Sequence, residues 1–365
     1  MTDVDVVIIG GGVTGLASAS AIADPTRNIV ILDQHARPGL ETSTHNSGVI
    51  HAGLYYPKGS LKARLCVEGR ERLYEFCARR GVPHARTGKL IVATSPGDDA
   101  RLAALETRAK ENGVDDVRIL GREELVSHQS GLVAPMALLS PSTGLVAADA
   151  LVHALLQECR ERDVGWLPAS KVLGGERANG ALELRTERER IRTRVVVNAA
   201  GLYADEVSTA LGGDAFKIYP CRGEYAELTP KWRERIKLPV YPLPHLSGHG
   251  LGVHVTPTID GGVLLGPTIR YQARKDDYED DRLELEAFLE PAQALIPDIV
   301  MSDLRLGGSG IRAKFHPPEE SFADFHIAHD TGVSGLVHAA GIDSPGLTSC
   351  LAIGSMVGRL VSEVL

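Results

Sequence analysis

The 365-residue chain has no excess of basic residues, no pattern of paired cysteines and no uninterrupted apolar run long enough to cross a bilayer. Lys and Arg number 39 against 47 Asp and Glu, for a formal net charge of −8. Nucleic-acid affinity rests on clustered cations, so no nucleic-acid partner is expected. The five cysteines, Cys66, Cys77, Cys159, Cys221 and Cys350, are scattered and odd in number. Their spacing fits neither a zinc site nor a disulfide framework, and no metal is expected; reduced thiols in a cytoplasmic protein fit best. The apolar stretch from Val4 to Ala23 carries Asp3 and Asp5 where an export signal is basic, and Gly10, Gly11, Gly12 and Gly15 interrupt it. It reads as neither signal nor membrane span, which leaves peripheral contact with the inner membrane face as the only membrane option. What is present is ample apolar material, 43% of residues, enough for one large or two intimate domains.

The same N-terminal stretch carries the first positive signal. Val4 to Ile9 is a β-branched run, followed without a spacer by Gly10-Gly-Gly-Val-Thr-Gly15 and an Ala-rich helical segment. Asn28 to Leu32 is a second buried-strand pattern that ends in Asp33, at the distance a dinucleotide fingerprint requires. Gly10 permits the tight turn, Gly12 lets backbone approach a pyrophosphate, and Gly15 lets helix and strand pack closely. The helix N-terminus offers free N–H groups to phosphate, and Asp33 offers a carboxylate to ribose hydroxyls.

After Asp33 the chain enters a Gly, Ser, Thr and His loop, Arg37 to Gly53, instead of further alternating strands and helices. A buried strand reappears at Arg194 to Gly201, and an apolar helix follows the turn Gly341 to Leu347. One nucleotide domain in three separated pieces is the pattern of an FAD fold, not of a contiguous NAD domain. The expected class is therefore α/β: a Rossmann-like FAD-binding domain of glutathione-reductase type with an inserted antiparallel-sheet substrate domain. The expected boundaries are residues 1–80, 142–215 and 307–365 for the first and 81–141 with 216–306 for the second. In the second, strand-like runs at Glu224 to Leu228, Val240 to Pro242, Gly252 to Thr256 and Val263 to Leu265 are broken by Pro and Gly. The acidic run Asp276 to Asp281 reads as a solvated loop.

The glycine fingerprint, Thr44-His-Asn-Ser-Gly-Val-Ile-His-Ala-Gly-Leu-Tyr-Tyr56, Ser60-Leu-Lys-Ala-Arg64 and Cys221-Arg-Gly-Glu-Tyr225 together resemble the D-amino-acid-oxidase-type flavoenzyme superfamily. Within it the chain is most similar to the L-2-hydroxyglutarate dehydrogenase/oxidase group, over almost its whole length. It departs from that group around Ser344 to Thr348 and is shorter between Gly266 and Gly310.

The resemblance implies FAD as cofactor and a small carboxylate as substrate. It implies flavin contacts at Gly10, Gly12, Val13, Thr14, Gly15, Asp33 and Gln34, and at Thr42, Ser43, His45, Asn46, Ser47 and Gly48 in the loop. Further contacts are implied at Val172, Ala200, Gly201, Gly310, Arg312, Gly341, Ser344, Pro345, Gly346, Leu347 and Thr348. The helix after Ser344 would aim N–H groups at the flavin pyrimidine carbonyl. His51 is the candidate base, taking the hydroxyl proton while the α-hydrogen leaves as hydride to flavin N5. A structural histidine, or a covalent flavin link through this ring, are the other readings. Arg312 is the candidate carboxylate clamp. Lys62 and Arg222 are candidates for a distal carboxylate, and His254, Tyr56 and Tyr225 for the pocket wall. Strand alternation puts His254 and Gly252 on one face, opposite Val253 and Val255.

The resulting expectation is oxidation of a 2-hydroxyglutarate-like L-2-hydroxy acid to the 2-oxo acid. An amine or amino-acid oxidase, a non-catalytic flavin binder and an NAD dehydrogenase are the alternatives. Quinone, dioxygen and a carrier protein remain equal as electron acceptors.

Overall fold

The computed structural model describes residues 2–95, 97–244 and 252–365. Strand Val4–Ile9 is central to an eight-stranded sheet among these residues. Its side chains from Val6 to Ile8 are fully buried, as a strand covered on both faces demands. It pairs in parallel with Ile29–Leu32 on one side and Arg190–Asn198 on the other, with Val6 opposite Ile29 and Val195. Leu336–Ala340 extends the sheet in parallel beyond Arg190–Asn198. Two antiparallel strands, Val172–Ala178 and Ala181–Thr186, are appended at its edge; the two-residue turn Asn179-Gly180, with φ of 50° and 79°, was the available sequence signal for this hairpin.

Helix Val13–Ile22 and the C-terminal helix Gly346–Ser362 cross closely, because a Cβ at Gly354 would stand 2.5 Å from the Ala17 carbonyl oxygen. The C-terminal helix begins about one turn later than the turn glycine Gly341, which has φ of 64° and ends strand Leu336–Ala340. Helix Leu61–Arg80 is framed by local chemistry. Ser60 Oγ accepts from Ala63 N–H, and Asp324 accepts from the N–H groups of Leu61 and Lys62. Gly81 ends it in the left-handed conformation, φ 67°.

The second sheet has nine strands among the described residues, and its pairings are antiparallel except for Val240–Pro242 beside Leu90–Val92. Its spine is the long pair Tyr219–Leu228 and Leu304–Lys314. The latter strand belongs to this sheet along its whole length, although the boundary expected at 306/307 assigns most of it to the nucleotide half. All five cysteines are free and buried. No helix among the described residues is long and apolar enough to cross a membrane.

Candidate active site

A cavity of about 1100 Å³ lies between the two sheets, lined from Gly10 and Asp33 at one end to Arg312, Tyr225 and His254 at the other. The nucleotide wall is made mostly by backbone. Gly10 has φ of 110°, and a side chain there would strike the Ala199 carbonyl. Gly15 lies behind the wall, with no room for a side chain against the Gly10 carbonyl. Gly12 caps helix Val13–Ile22 without a side-chain hydrogen bond, and the first turn holds no acid. Val13 N–H donates to Ser43 Oγ at 3.0 Å. Asp33 accepts from Gly11 N–H at 2.6 Å and His35 N–H at 2.7 Å, and burial raises its pKa against those two bonds. Thr14, Gln34, Val172, Ala200 and Gly201 complete this part of the lining.

The loop after Asp33 holds itself in place. Asn46 Nδ2 donates to the Thr42 and Ser43 carbonyls, while its Oδ1 accepts from Gly48 N–H. Thr42 Oγ1 donates to the Ile311 carbonyl, tying the loop to the second sheet, and His45 Nδ1 lies 2.9 Å from the Glu41 carbonyl oxygen. Thr42, Ser43, His45, Asn46 and Ser47 line the cavity. Gly48 and Gly341 do not: they are turn glycines with positive φ.

His51 lies where this loop meets the C-terminal helix. Its N–H donates to Thr348 Oγ1 at 2.9 Å, and its Nε2 lies 3.3 Å from Ser344 Oγ. Thr348 is fully buried and off the cavity surface, so it holds the His51 backbone instead of meeting a ligand. Ser344, Pro345, Gly346 and Leu347 do line the cavity, and the helix that opens there has no side-chain cap. Burial, assisted by the Lys89 ammonium, lowers the His51 pKa to about 3 and keeps the imidazole neutral.

Lys89 went unnoticed in the sequence. It is 1% exposed, with its ammonium 4.8 Å and 4.6 Å from the ring centroids of Tyr55 and Tyr241. Burial lowers its pKa to about 7. Tyr55 and Tyr241 line the cavity, and His254 stacks on Tyr241 with centroids 3.4 Å apart. Gly252 and His254 share the cavity face, with Val255 in the core. Tyr56 and Tyr225 are also in the wall, and burial holds both phenols above their ordinary pKa, so they stay protonated.

Arg312 reaches the cavity from strand Leu304–Lys314. Its guanidinium donates to the Thr268 carbonyl at 3.2 and 3.3 Å, and no carboxylate pairs with it among the described residues. Gly223 makes the space, since a Cβ there would lie 2.7 Å from the guanidinium. The opposite glycine, Gly310, lets the strand touch the His45 backbone.

Arg222 is a correction. It is fully buried, paired with Glu224 at 2.9 Å and Asp277 at 3.3 Å, and also donates to the Asp280 and Asp281 carbonyls. Strand alternation turns it away from the face that Arg312 and Tyr225 share with the cavity, so it meets no substrate. The acidic run is accordingly not only a solvated loop: part of it wraps this guanidinium. Lys62 does reach the cavity, but its ammonium is 2.6 Å from Asp343. Lys314, unmarked in the sequence reading, binds the other oxygen of Asp343 at 3.2 Å; its position two residues beyond Arg312 on one strand was the available signal. Away from the cavity Asp214, Asp330 and His338 converge, with Asp330 also accepting loop N–H groups from Asp214, Gly332 and Val333.

The donor set fits FAD. The cavity has a glycine-capped helix start and side-chain-free turn at one end, a carboxylate at the end of the second strand, and near His51 a second helix start whose N-cap residue makes no side-chain bond. Solved structures share the whole architecture. L-α-glycerophosphate oxidase from Mycoplasma pneumoniae, dithionite-reduced with FAD bound, matches with TM-score 0.90 at 24% identity, covering 98% of this chain and 94% of that one. Glycine oxidase from Geobacillus kaustophilus matches with TM-score 0.84 at 21% identity, covering 100% and 96%.

In sequence, the mitochondrial L-2-hydroxyglutarate dehydrogenase of Bos taurus is 31% identical over 411 residues, 98% of this chain and 89% of its own length. The L-2-hydroxyglutarate dehydrogenase of Indibacter alkaliphilus is 30% identical over 393 residues, 97% and 98%. The model of the DAO family, described as FAD dependent oxidoreductase, matches residues 5–360. Because that match takes in both sheets and both walls of the cavity, the chain belongs to the DAO family of FAD-dependent oxidoreductases.

Proposed function

We propose that this chain oxidises an L-2-hydroxy acid, with L-2-hydroxyglutarate as the first candidate, to the 2-oxo acid. The observation that carries the reading is a neutral imidazole, His51, in the same cavity as a guanidinium, Arg312, that has no carboxylate partner among the described residues. The names of the relatives support the choice of substrate.

In this reading Arg312 binds the carboxylate next to the reacting carbon, since a planar guanidinium fixes both oxygens and therefore the orientation. His51 Nε2 receives the hydroxyl proton as the carbonyl forms, and Ser344 Oγ orients the ring. Thr348 fixes the His51 backbone from behind. Bound FAD supplies the acceptor for the α-hydrogen and its electron pair. Tyr56 and Tyr225, protonated and largely buried, help to keep water from the reacting carbon.

The test is the visible spectrum of the purified protein, oxygen-free, before and after L-2-hydroxyglutarate. Bleaching of the oxidised-flavin bands is expected. Bleaching by an amine or amino acid, with none by hydroxy acids, would replace this reading with an amine oxidase.

A further inference from the structure

Resting on the reading above, we infer that Lys314 binds a second carboxylate of the substrate, making the site selective for 2-hydroxy dicarboxylates over 2-hydroxy monocarboxylates. The lining holds further charges, among them Arg108 and the Arg101 that Asp98 takes up; the group formed by Asp343, the two lysines paired with it and the arginine on the same strand as one of them is Lys62, Arg312, Lys314 and Asp343. Three are cationic and one is anionic. Asp324, close to the start of helix Leu61–Arg80, is not in the lining, and its oxygens accept from the N–H groups of Leu61, Lys62 and Phe325. Two positive charges are therefore left without a fixed counterion, and a dianion balances them where a monoanion leaves one exposed to a poorly solvated wall.

Exposure identifies which lysine is available. The side chains of Lys62 and Asp343 are 6% and 3% exposed, and the Lys62 ammonium also lies 5.4 Å from the Phe325 ring centroid. They form a closed, neutral pair. Lys314 is 22% exposed and touches Asp343 from the outside. Burial opposes the ionisation of Asp343, but the two ammonium groups outweigh it and hold its pKa below the ordinary carboxylate range. Asp343 thus stays charged and fixes Lys314, while Lys62 neutralises Asp343. Lys62 is a positioning residue here, not the ligand.

Spacing agrees. Arg312 and Lys314 are two apart on one strand, so their side chains leave the same face with origins about 7 Å apart. Flexible side chains can close that gap around a short dicarboxylate with one carboxylate on each cation. Ile311 and Ala313 between and beside them point into the core, so the strand's own alternation sets the pair.

The experiment uses the FAD-loaded protein. Calorimetric titration compares glutarate with butyrate, neither of which can be oxidised at a hydroxyl. Steady-state kinetics compares kcat/KM for L-2-hydroxyglutarate with that for L-2-hydroxybutyrate. Both are measured in the wild type, Lys314→Gln and Lys314→Arg. The wild type is expected to prefer the dicarboxylate at least tenfold in each comparison, Lys314→Gln to lose at least tenfold of that preference, and Lys314→Arg to keep most of it. Equal binding of glutarate and butyrate by the wild type, or an undiminished preference in Lys314→Gln, would overturn the inference. Should Lys314→Gln fail to fold, Lys314→Met takes its place in both comparisons, with the same loss of preference expected and an undiminished preference again overturning the inference. If glutarate is preferred in a Lys314-dependent way but L-2-hydroxyglutarate does not reduce the flavin, the proposed reaction fails and the dicarboxylate site stands. If the flavin is reduced but the preference ignores Lys314, only this inference fails.

Discussion

The two walls of the cavity are built by opposite strategies. The nucleotide wall is backbone: Gly10 and Gly12 and the start of helix Val13–Ile22 come from one short stretch of chain. The opposite wall is side chains: His51, the strand neighbours Arg312 and Lys314, and Asp343 come from three separate segments, with Lys89 from a fourth behind Tyr55 and Tyr241. Backbone recognition needs consecutive residues, so it writes a contiguous motif. Side-chain recognition needs only convergence in space, so its members can lie anywhere in the sequence.

The largest effect is expected for His51→Ala. Turnover of the hydroxy acid should fall about 10²- to 10⁴-fold, the usual worth of a positioned base, while the purified variant keeps its yellow colour. Loss of colour together with activity would make His51 a cofactor residue and move it to the nucleotide wall. Arg222→Met comes next and concerns stability. Removing one partner of a buried ion pair costs about 3–5 kcal/mol, read as a lower denaturation midpoint, with KM unchanged. A raised KM would return Arg222 to the substrate wall.

Gly12→Val tests the other wall. Even the first carbon of a side chain would stand 2.8 Å from Ser43 Oγ, and overpacking of this kind costs about 1–3 kcal/mol. Flavin retention should weaken by about one to two orders of magnitude, measured by fluorescence of released FAD, with KM of the loaded fraction little altered. The smallest effect is on pH. Catalysis needs the unprotonated imidazole, and a pKa lowered to about 3 leaves that form dominant well below 6.5. The acid limb of kcat/KM should therefore be shifted far below the ordinary imidazole range. A limb near 6.5 would mean that the working histidine is solvated, or is another group.

Much of the first wall was legible. Strands at Val4–Ile9, Ile29–Leu32 and Arg190–Asn198 follow from apolar β-branched runs, and the glycine turn follows from its spacing. The second sheet was legible as strands but not as pairings: Val240–Pro242 lies parallel to Leu90–Val92 across some 150 residues of chain. Arg222 shows the limit most clearly. It stands next to Gly223 and three residues before Tyr225 in a strand that does line the cavity, yet its own side chain leaves by the other face.

What is local is written along the chain: the glycine-turned nucleotide unit and the alternation that pairs His254 with Gly252. Short-range sterics and hydrogen bonding act between near neighbours, and composition records them directly. Which charges meet was settled by packing. That Lys62 is closed against Asp343, that Arg222 is locked by Glu224 and Asp277, and that Arg312 and Lys314 stay open to the cavity depends on which faces the two sheets bury. Charge pairing across a fold is set by desolvation and distance after packing, and neither quantity exists along the chain.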